Sequence, residues 1–557
     1  MAVKCLEGPF VFRLNENGAG PHLLVQVCTE RGWREYAGEN NVFKDRWNLW
    51  WRSGGFPLTQ FKPLFPWQFV NRIPKGNSIC RKDNLVRHLK CMKKGHGSIY
   101  DFSPIGYNLP SEYTKLAEDC SRYEKDDRVW ICKPVSQSQG RGIFLFRKLS
   151  DLSYNNSAVV QRYIENPLLI GGYKFDLRLY VCVPSYRPLT IYLYKEGIAR
   201  FATEKFSLER LDDPFRHLTN FSLNKLGPGY SEKKERIGAG KLVKDIYIYS
   251  SFSFKRLRNP FFHFSFQGCK WTLRQLRRYF EQAGYFDWFL WQRIACLVSL
   301  TIISQAAGIP SSSNCFEFFG FDVLIDENLK PWLLEVNLSP ALSNECEIDS
   351  EVKKPLLHDL FDLLGLPVCN TGLSLFKIWS YDRVNEENSS SKICANRSTK
   401  KKSKFNRNGG TIMNLYSETR SAFRKSSEMC PTSWSRYNPL LMDKCIRRDF
   451  KGNNINNHST SAWDNGRDWS APCVREGGWV RICPLTRLKH SKNAEFSQAD
   501  ASRSIEREIK DTILCINKYL KAAKDIQRGN EKQKDDQYNA LLQASLNLNA
   551  EVWLPEK

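Results

Sequence analysis

Three oxygen-bearing side chains recur at close spacing inside two apolar runs near the middle of the chain. Phe316 to Pro340 reads FEFFGFDVLIDENLKPWLLEVNLSP, with Asp322 in the first run and Glu335 and Asn337 two apart in the second. Residues two apart on a strand share a face, so Glu335 and Asn337 point the same way. With Asp326 to Pro331 as the loop of a hairpin, Ile325 stands opposite Trp332 and Asp322 opposite Glu335. Two carboxylates and a carboxamide then converge, and an oxygen-only set of this kind suits Mg²⁺. An edge hairpin with its acids in water is the competing reading. It is disfavoured because these acids interrupt otherwise apolar strands, where a carboxylate needs a partner.

A second set could bind phosphate. Trp130 to Phe144 reads WICKPVSQSQGRGIF, in which a strand delivers Lys133 to a loop holding Ser136, Ser138, Gly140, Arg141 and Gly142. Glycines let backbone N–H groups approach phosphate oxygens, and the lysine adds a point charge. No GxxxxGK[ST] occurs, so this is not a Walker loop, and no HRD or DFG set follows it as in a kinase. A glycine-rich hairpin by itself is most often only a hairpin; the metal set downstream is what gives it meaning. Gly171 to Val183, GGYKFDLRLYVCV, places Lys174, Asp176 and Arg178 on one strand face, with Phe175, Leu177 and Leu179 packing on the other. His217 to Lys225, HLTNFSLNK, offers small polar side chains of the kind that border a nucleotide.

The elements around these residues need a large core, which 557 residues with 41% hydrophobic and 13% aromatic content can supply, in more than one domain. The formal net charge of +24 calls for an acidic partner: nucleic acid, an anionic membrane or an acidic protein surface. The 18 cysteines show no zinc-like spacing and read as reduced thiols of a cytosolic protein. The start, MAVKCLEGPFVFRLNENG, lacks the apolar core of a signal peptide. Trp288 to Ile309 is the nearest approach to a membrane span, but Gln292 and Arg293 break it, and it reads as a buried helix. Strands are expected at Val159–Ile164, Phe175–Val183 and Leu189–Tyr194, and a helix at Trp271–Gln282. Residues 1–70 form a tryptophan- and proline-rich N-terminal region, 71–370 the α/β module with the chemistry, and 371–557 a basic, low-complexity, largely disordered tail. Within that tail Ile505, Ile509, Ile513, Ile516 and Leu520 recur at helical spacing, so an amphipathic helix near 504–527 is expected there.

The succession WICKP…GRGIF, QRYIENP, YKFDLRLYV, ARFAT, HLTNFS, CKW, FGFDVLID and LLEVNLSP resembles the tubulin–tyrosine-ligase-like family over about Trp47 to Leu366. The resemblance implies an ATP-grasp fold behind a small N-terminal domain. It implies an acid–amino-acid ligase that uses ATP and Mg²⁺, with two ions, to add glutamate to glutamate side chains of tubulin tails. An acyl phosphate would be the intermediate. Lys133, Arg178 and Glu335 would be catalytic. Lys133 would also bind ATP with Lys82, Gln139, Gly140, the hinge Gln161, Arg162, Tyr163 and Ile164, then Lys174, Phe175 and Asp176, and Thr219 and Asn220. Asp322, Glu335 and Asn337 would hold the metal. Arg200, Phe221, Ser222 and Lys270 would hold the incoming amino acid, and a paired arginine and lysine suit its two carboxylates.

The implied partners are tubulin and microtubules through their acidic tails, and free glutamate. Neither nucleic acid nor membrane is expected, and the chain would act as a monomer in the cytoplasm and on the cytoskeleton, with cilium, flagellum or basal body implied by the family alone. Two readings stay open beside this one: a ligase for another amino acid such as glycine or for another acceptor, and a non-catalytic microtubule-binding member. Gln139 fits chain elongation, whereas Leu338 stands where elongating members often carry histidine. A phenylalanine-rich insertion at Ile246 to Gln267 precedes Lys270 and leaves the amino-acid end the least defined.

Overall fold

The structure is a computed structural model that describes residues 10–14, 21–36, 47–55, 64, 68–122, 127–154, 157–227, 270–312, 314–366, 467–486, 498–529 and 533–557. Met1–Trp379 with Ser461–Lys557 makes one unit; the other, Ser380–Thr460, lies outside the described residues, as does the 246–267 insertion.

Short extended runs build a parallel N-terminal sheet in the order β2-β1-β3-β4, with β1 Val11–Arg13, β2 Arg34–Glu35, β3 Leu49–Trp50 and β4 Phe69–Val70. Helix α1, His22–Glu30, buries Leu23, Leu24, Val27 and Cys28. The aromatic residues that mark this stretch have a purpose: Phe12, Trp33 and Trp51 pack into one cluster with Phe316, Phe318 and Phe361 of the later module. Helix α2, Lys82–His96, follows, with Asp83 in its first turn and Lys93, Lys94 and His96 in its last, the arrangement that complements a helix dipole. A four-stranded antiparallel sheet comes next in the order β5-β8-β6-β7, with β5 Gly106–Leu109, helix α3 Tyr113–Arg122, β6 Trp130–Pro134, β7 Phe144–Phe146 and β8 Ala158–Arg162. The hairpin expected around Lys133 is β6–β7.

The central sheet is organised by a single long strand. After β9, Leu169–Ile170, strand β10 runs from Tyr173 to Tyr186. Its first half pairs with β12, Ile198–Phe201, and its second half with β11, Leu189–Tyr194. Two four-residue helices, α4 Pro214–His217 and α5 Phe221–Asn224, carry the polar HLTNFSLNK stretch. Beyond β12 lies β13, Lys270–Thr272. Thr272 then caps helix α6, Leu273–Gln282, in a reciprocal capping box with Gln275. Helix α7, Trp288–Ala306, is the buried helix anticipated from sequence; among the described residues it alone is long and apolar enough to cross a membrane, and it is surrounded by core side chains. Strand β14, Glu317–Ile325, pairs with β10 on its other edge, and β15, Pro331–Asn337, completes the hairpin with β14. Helix α8 spans Glu347–Leu363. One sheet face, with Phe175, Leu177, Leu179, Phe321 and Val323, packs on α7; the other is apolar at Tyr180 and Cys182, where it meets α8 and the N-terminal sheet.

The tail expectation is corrected by the described residues of 467–557. Strand β16, Arg475–Glu476, and strand β17, Trp479–Cys483, extend the central sheet, β17 pairing with β11. Helix α9, Gln498–Gly529, contains the expected amphipathic segment, but its Ile513, Ile516, Tyr519 and Ala523 lie in the same core as α7. Helix α10, Asp535–Leu546, packs beside it, and the chain ends with Trp553 buried on Trp291 and donating its indole N–H to the Tyr194 carbonyl. Buried Arg277 ties the segment down through Asp287, Asp535 and the Pro555 carbonyl. The polar composition averaged over 371–557 conceals these few apolar residues, because each is spaced for one face of one element. Trp553→Ala is therefore expected to lower the unfolding free energy of the full chain by about 3–5 kcal/mol, measured by denaturant titration.

Candidate active site

Pairing across five strands sets charged residues in rows on one face of the central sheet. Lys270 on β13 is in register with Arg200 on β12, and Arg200 with Asp176 on β10. Two residues along β10, Arg178 is in register with Asp322 on β14, and Asp322 with Glu335 on β15. The expected Asp322–Glu335 pairing is thus present, but Ile325 faces Pro331 and Leu324 faces Trp332, because the register shifts between Asp322 and Val323. The extra residue falls in β15 at Leu334, and a bulge of this kind re-aims neighbouring side chains. Leu334 and Glu335 consequently both line the same cleft. The turn itself is held by Asp326, which accepts from the N–H groups of Asn328 and Lys330 and from the Trp332 indole.

Burial makes these pairings obligatory. Asp322 takes both Nε and Nη2 of Arg178 at 2.6 and 3.0 Å, and a second guanidinium, that of Arg200, at 2.9 Å. Arg200 in turn forks onto Asp176 at 2.8 and 2.5 Å. Burial alone would raise the Asp322 carboxyl, but Arg178 and Arg200 overcome it and hold the group well below the usual carboxylate range. Glu335 goes the other way, raised by burial and then by the adjacent Asp322 carboxylate. The Asn337 amide nitrogen donates to both acids at 3.3 Å, so all three oxygen-bearing residues meet as expected. The acids converge on one point, and their mutual repulsion is what a divalent cation would relieve; Asn337 could contribute its oxygen after an amide flip.

The cleft beside this point is open to solvent on one side, and its free space, with the solvent at its mouth included, is about 800 Å³. Lys133 on β6 reaches into it and donates to the Gln161 side chain at 2.8 Å. Burial depresses its ammonium to about 8, against the pull of Glu335, while Lys82 pushes the same way as burial. Lys174 on β10 donates to the Tyr163 hydroxyl and the His217 carbonyl, both at 2.8 Å, and burial brings it down to about 7. Lys82, the first residue of α2, donates to the Gln137 carbonyl at 2.7 Å, so the preceding region does reach the phosphate-type loop. That loop turns through positive φ at Gln139, Gly140 and Gly142. A Cβ on Gly140 would stand 3.1 Å from the Asn220 side chain, so glycine lets the loop close on Asn220. Asn220 and Thr219 line the cleft, and buried Asn224 fixes that stretch by bonding the Leu218 and Asn220 carbonyls and Thr203.

Several expected residues stand elsewhere. Phe175 is in the core against Phe201 on the opposite sheet face, and its side chain does not reach the cleft; alternation along β10 dictates this. Arg178 sits behind Asp322 and outside the cleft wall. At the hinge Gln161, Arg162, Tyr163 and Ile164 line the cleft, but the N–H groups of Arg162 and Tyr163 are spent on the Ile105 and Val129 carbonyls. Lys270 and Phe221 do meet, with the ammonium 3.8 Å above the ring, and Ser222 follows in α5; Arg200 is the next strand's neighbour, tied to the acids. Sequence reasoning missed the apolar walls Ile131 and Leu324. Each lies two residues from a named polar group on the same strand, Lys133 and Asp322, so period-two alternation carried the signal.

This geometry can be set beside known proteins. A family model described as the tubulin-tyrosine ligase family matches residues 60–249 and 263–372. The chain is 43% identical over 363 residues to "Probable tubulin polyglutamylase TTLL2" of Mus musculus, covering 64% of this chain and 62% of that one. It is 42% identical to the Homo sapiens protein of the same name, covering 64% and 56%. It is 33% identical over 381 residues to "Probable alpha-tubulin polyglutamylase Ttll1" of Tetrahymena thermophila, covering 61% and 83%. The chain therefore spans about three-fifths of the mouse and human relatives it matches. The two matched stretches take in every described element from β4 to α8, and with them every strand that carries the cleft, and on that extent the chain belongs to the tubulin-tyrosine ligase family.

Proposed function

We propose that this protein is an ATP-dependent ligase of the ATP-grasp type that joins glutamate to glutamate side chains of tubulin tails. The observation that carries the reading is the convergence of Asp322 and Glu335, in register, on a cleft that Lys133 enters from the β6 sheet and Lys174 lines from β10, the strand beside β14. Two carboxylates and two lysines lining one cleft suit a polyphosphate nucleotide bridged by a cation. The relatives' names support tubulin as the acceptor and glutamate as the amino acid.

In this reading Lys133 and Lys82 hold the phosphates, and the loop through Gln139 and Gly140 closes over them against Asn220. Tyr163 and Lys174 flank the base, pinned to each other and to His217. A tail carboxylate attacks the γ-phosphorus, the bond to ADP breaks, and an acyl phosphate forms. The glutamate amine then attacks the acyl carbon, loses a proton and expels phosphate, leaving an amide. Asp322, Glu335 and Asn337 would hold Mg²⁺, which neutralises charge on the transferring phosphoryl oxygens. Arg178 fixes Asp322 so that it faces the cleft rather than folding away, a positioning role. Closing the loop excludes water, which would otherwise hydrolyse the acyl phosphate. Acidic tails are drawn by the +24 charge, and the cytoskeleton is the expected site of action.

The test is ATP-dependent incorporation of labelled glutamate, and separately glycine, into microtubules. Glutamate incorporation is expected, and Glu335→Gln should reduce it by more than about 100-fold, since even groups behind metal ligands are worth 10–100-fold. Equal incorporation by that variant would remove the ligase reading, and preference for glycine would replace the amino acid.

Nucleotide binding should also take up a proton. ATP phosphates favour the ammonium form of Lys133, whose value in the free protein is about 8. Above that pH the lysine must be protonated before it binds, so the ATP Kd should rise, approaching about tenfold per pH unit. Lys133→Arg stays charged and should flatten the profile between pH 8 and 10 in calorimetric titrations.

A further inference from the structure

Lys270 is buried with more donors than acceptors. Its Nζ donates to Asp349 at 2.7 Å and otherwise lies over the Phe221 ring, and among the described residues this is its one hydrogen bond. An ammonium carries three donors. Asp349 stands in the first turn of α8, buried, and shares its carboxylate. One oxygen accepts from Lys270, the Glu345 N–H and the Cys346 thiol; the other forms an ion pair with Lys353 at 2.8 Å. Lys353 is itself buried and also donates to the Ser343 carbonyl. Two ammonium groups against one carboxylate leave one net positive charge. Arg200, next to Lys270 in register, cannot be relieved by Asp349, because its guanidinium is spent on Asp176 and Asp322. Tyr180, on the same face of β10, adds a buried hydroxyl with no hydrogen-bond partner among the described residues, near Asp349 and Arg200.

A buried surplus of positive charge is costly unless an anion joins it. We propose that Lys353 and Asp349 complete the subsite for the side-chain carboxylate of an incoming dicarboxylic amino acid, Asp349 positioning Lys270 and Lys353 supplying the charge that keeps the set cationic. Adjacent strands lie about 4.8 Å apart, a separation that a five-carbon dicarboxylate spans, with its α-carboxylate toward Arg200 and its far carboxylate at Lys270. The amine is then directed toward the acids of β14 and β15. This rests on the ligase reading for the direction of the amine, but the carboxylate subsite can be tested separately.

The experiment uses the full chain, with microtubules and labelled glutamate, and determines KM for glutamate and for ATP. Lys353→Met should raise the glutamate KM by about 10- to 100-fold, the worth of a charge-assisted hydrogen bond, while the ATP KM moves by less than about threefold. Lys353→Arg should restore most of the loss, and discrimination between glutamate and glutamine should fall with Lys353→Met. An unchanged glutamate KM would overturn the proposal. So would a parallel rise in both KM values with a lowered melting temperature that Lys353→Arg does not rescue. If the wild type ligates nothing, the ligase reading fails, and calorimetric titration of glutamate into wild type and Lys353→Met, with a non-hydrolysable ATP analogue present, decides the subsite alone. Equal affinities, or no glutamate binding by the wild type, would reject it. Lys353→Gln, which removes the charge but keeps a polar side chain, provides a second variant with the same expected split should Lys353→Met fail to fold.

Discussion

A carboxylate in the middle of a sheet cannot stay charged without cations at hand, and Asp322 is 2% exposed. Arg178 supplies one guanidinium from the neighbouring strand and Arg200 another from one strand further. Neither arginine could be there without constraints of its own. Arg200 must be shared with Asp176, and Arg178 must lie flat against Gly320, where a Cβ would come within 3.1 Å of it. The pairing of β12, β10, β14 and β15 is therefore specified by charge as well as by apolar alternation. A one-residue slip in β14 would turn Asp322 onto the face packed on α7 and leave both arginines uncompensated. Breaking such a set costs more than its net worth, because what remains is an unpaired buried charge.

That constraint explains why part of the site could be read from the sequence. Asp322, Glu335 and Asn337 were legible because strand alternation is a strict period of two and the acids fall inside apolar runs. Lys133 and Ile131, Asp176 and Lys174 follow the same rule. The register beyond Asp322 was not legible, since the shift at Leu334 leaves no signature in residue type. Phe175 shows the opposite failure: a resemblance carries whole motifs across, whereas a strand divides them between two faces. Alternation placed Phe175 in the core, and the structure agrees with alternation.

The C-terminal segment was misread for a different physical reason. Averaged composition measures how much apolar surface a stretch could bury by itself, and 371–557 could bury little. Residues Trp479, Val480, Ile482 and Cys483 bury theirs against a strand nearly three hundred residues earlier in the chain, and Ile513, Ile516 and Tyr519 bury theirs on α7. The helix periodicity near 505–520 was visible, but its partner was not. Periodicity gives a face, and only the fold says what covers it. The Tyr519 hydroxyl bonds the buried Gln292 side chain, one of the two residues that argued against a membrane span from sequence. That polar residue in α7 is there because a helix more than two hundred positions away satisfies it.

The same bookkeeping of buried charge separates the two ends of the site. In the cleft, Lys133 and Lys174 are depressed by burial, Asp322 is claimed by Arg178 and Arg200, and Glu335 is raised beside it, so negative charge added there would favour protons on the lysines or a cation at the acids. At the β13 end the balance is left open, with Lys270 and Lys353 sharing a single aspartate. Arg200 stands between the two and belongs electrically to the first, since its guanidinium contacts go to Asp176 and Asp322. A substrate carrying two carboxylates would therefore meet one cation already engaged and another with charge to spare. Its orientation would follow from that asymmetry, the group nearer the acids held by geometry and the far carboxylate by net charge.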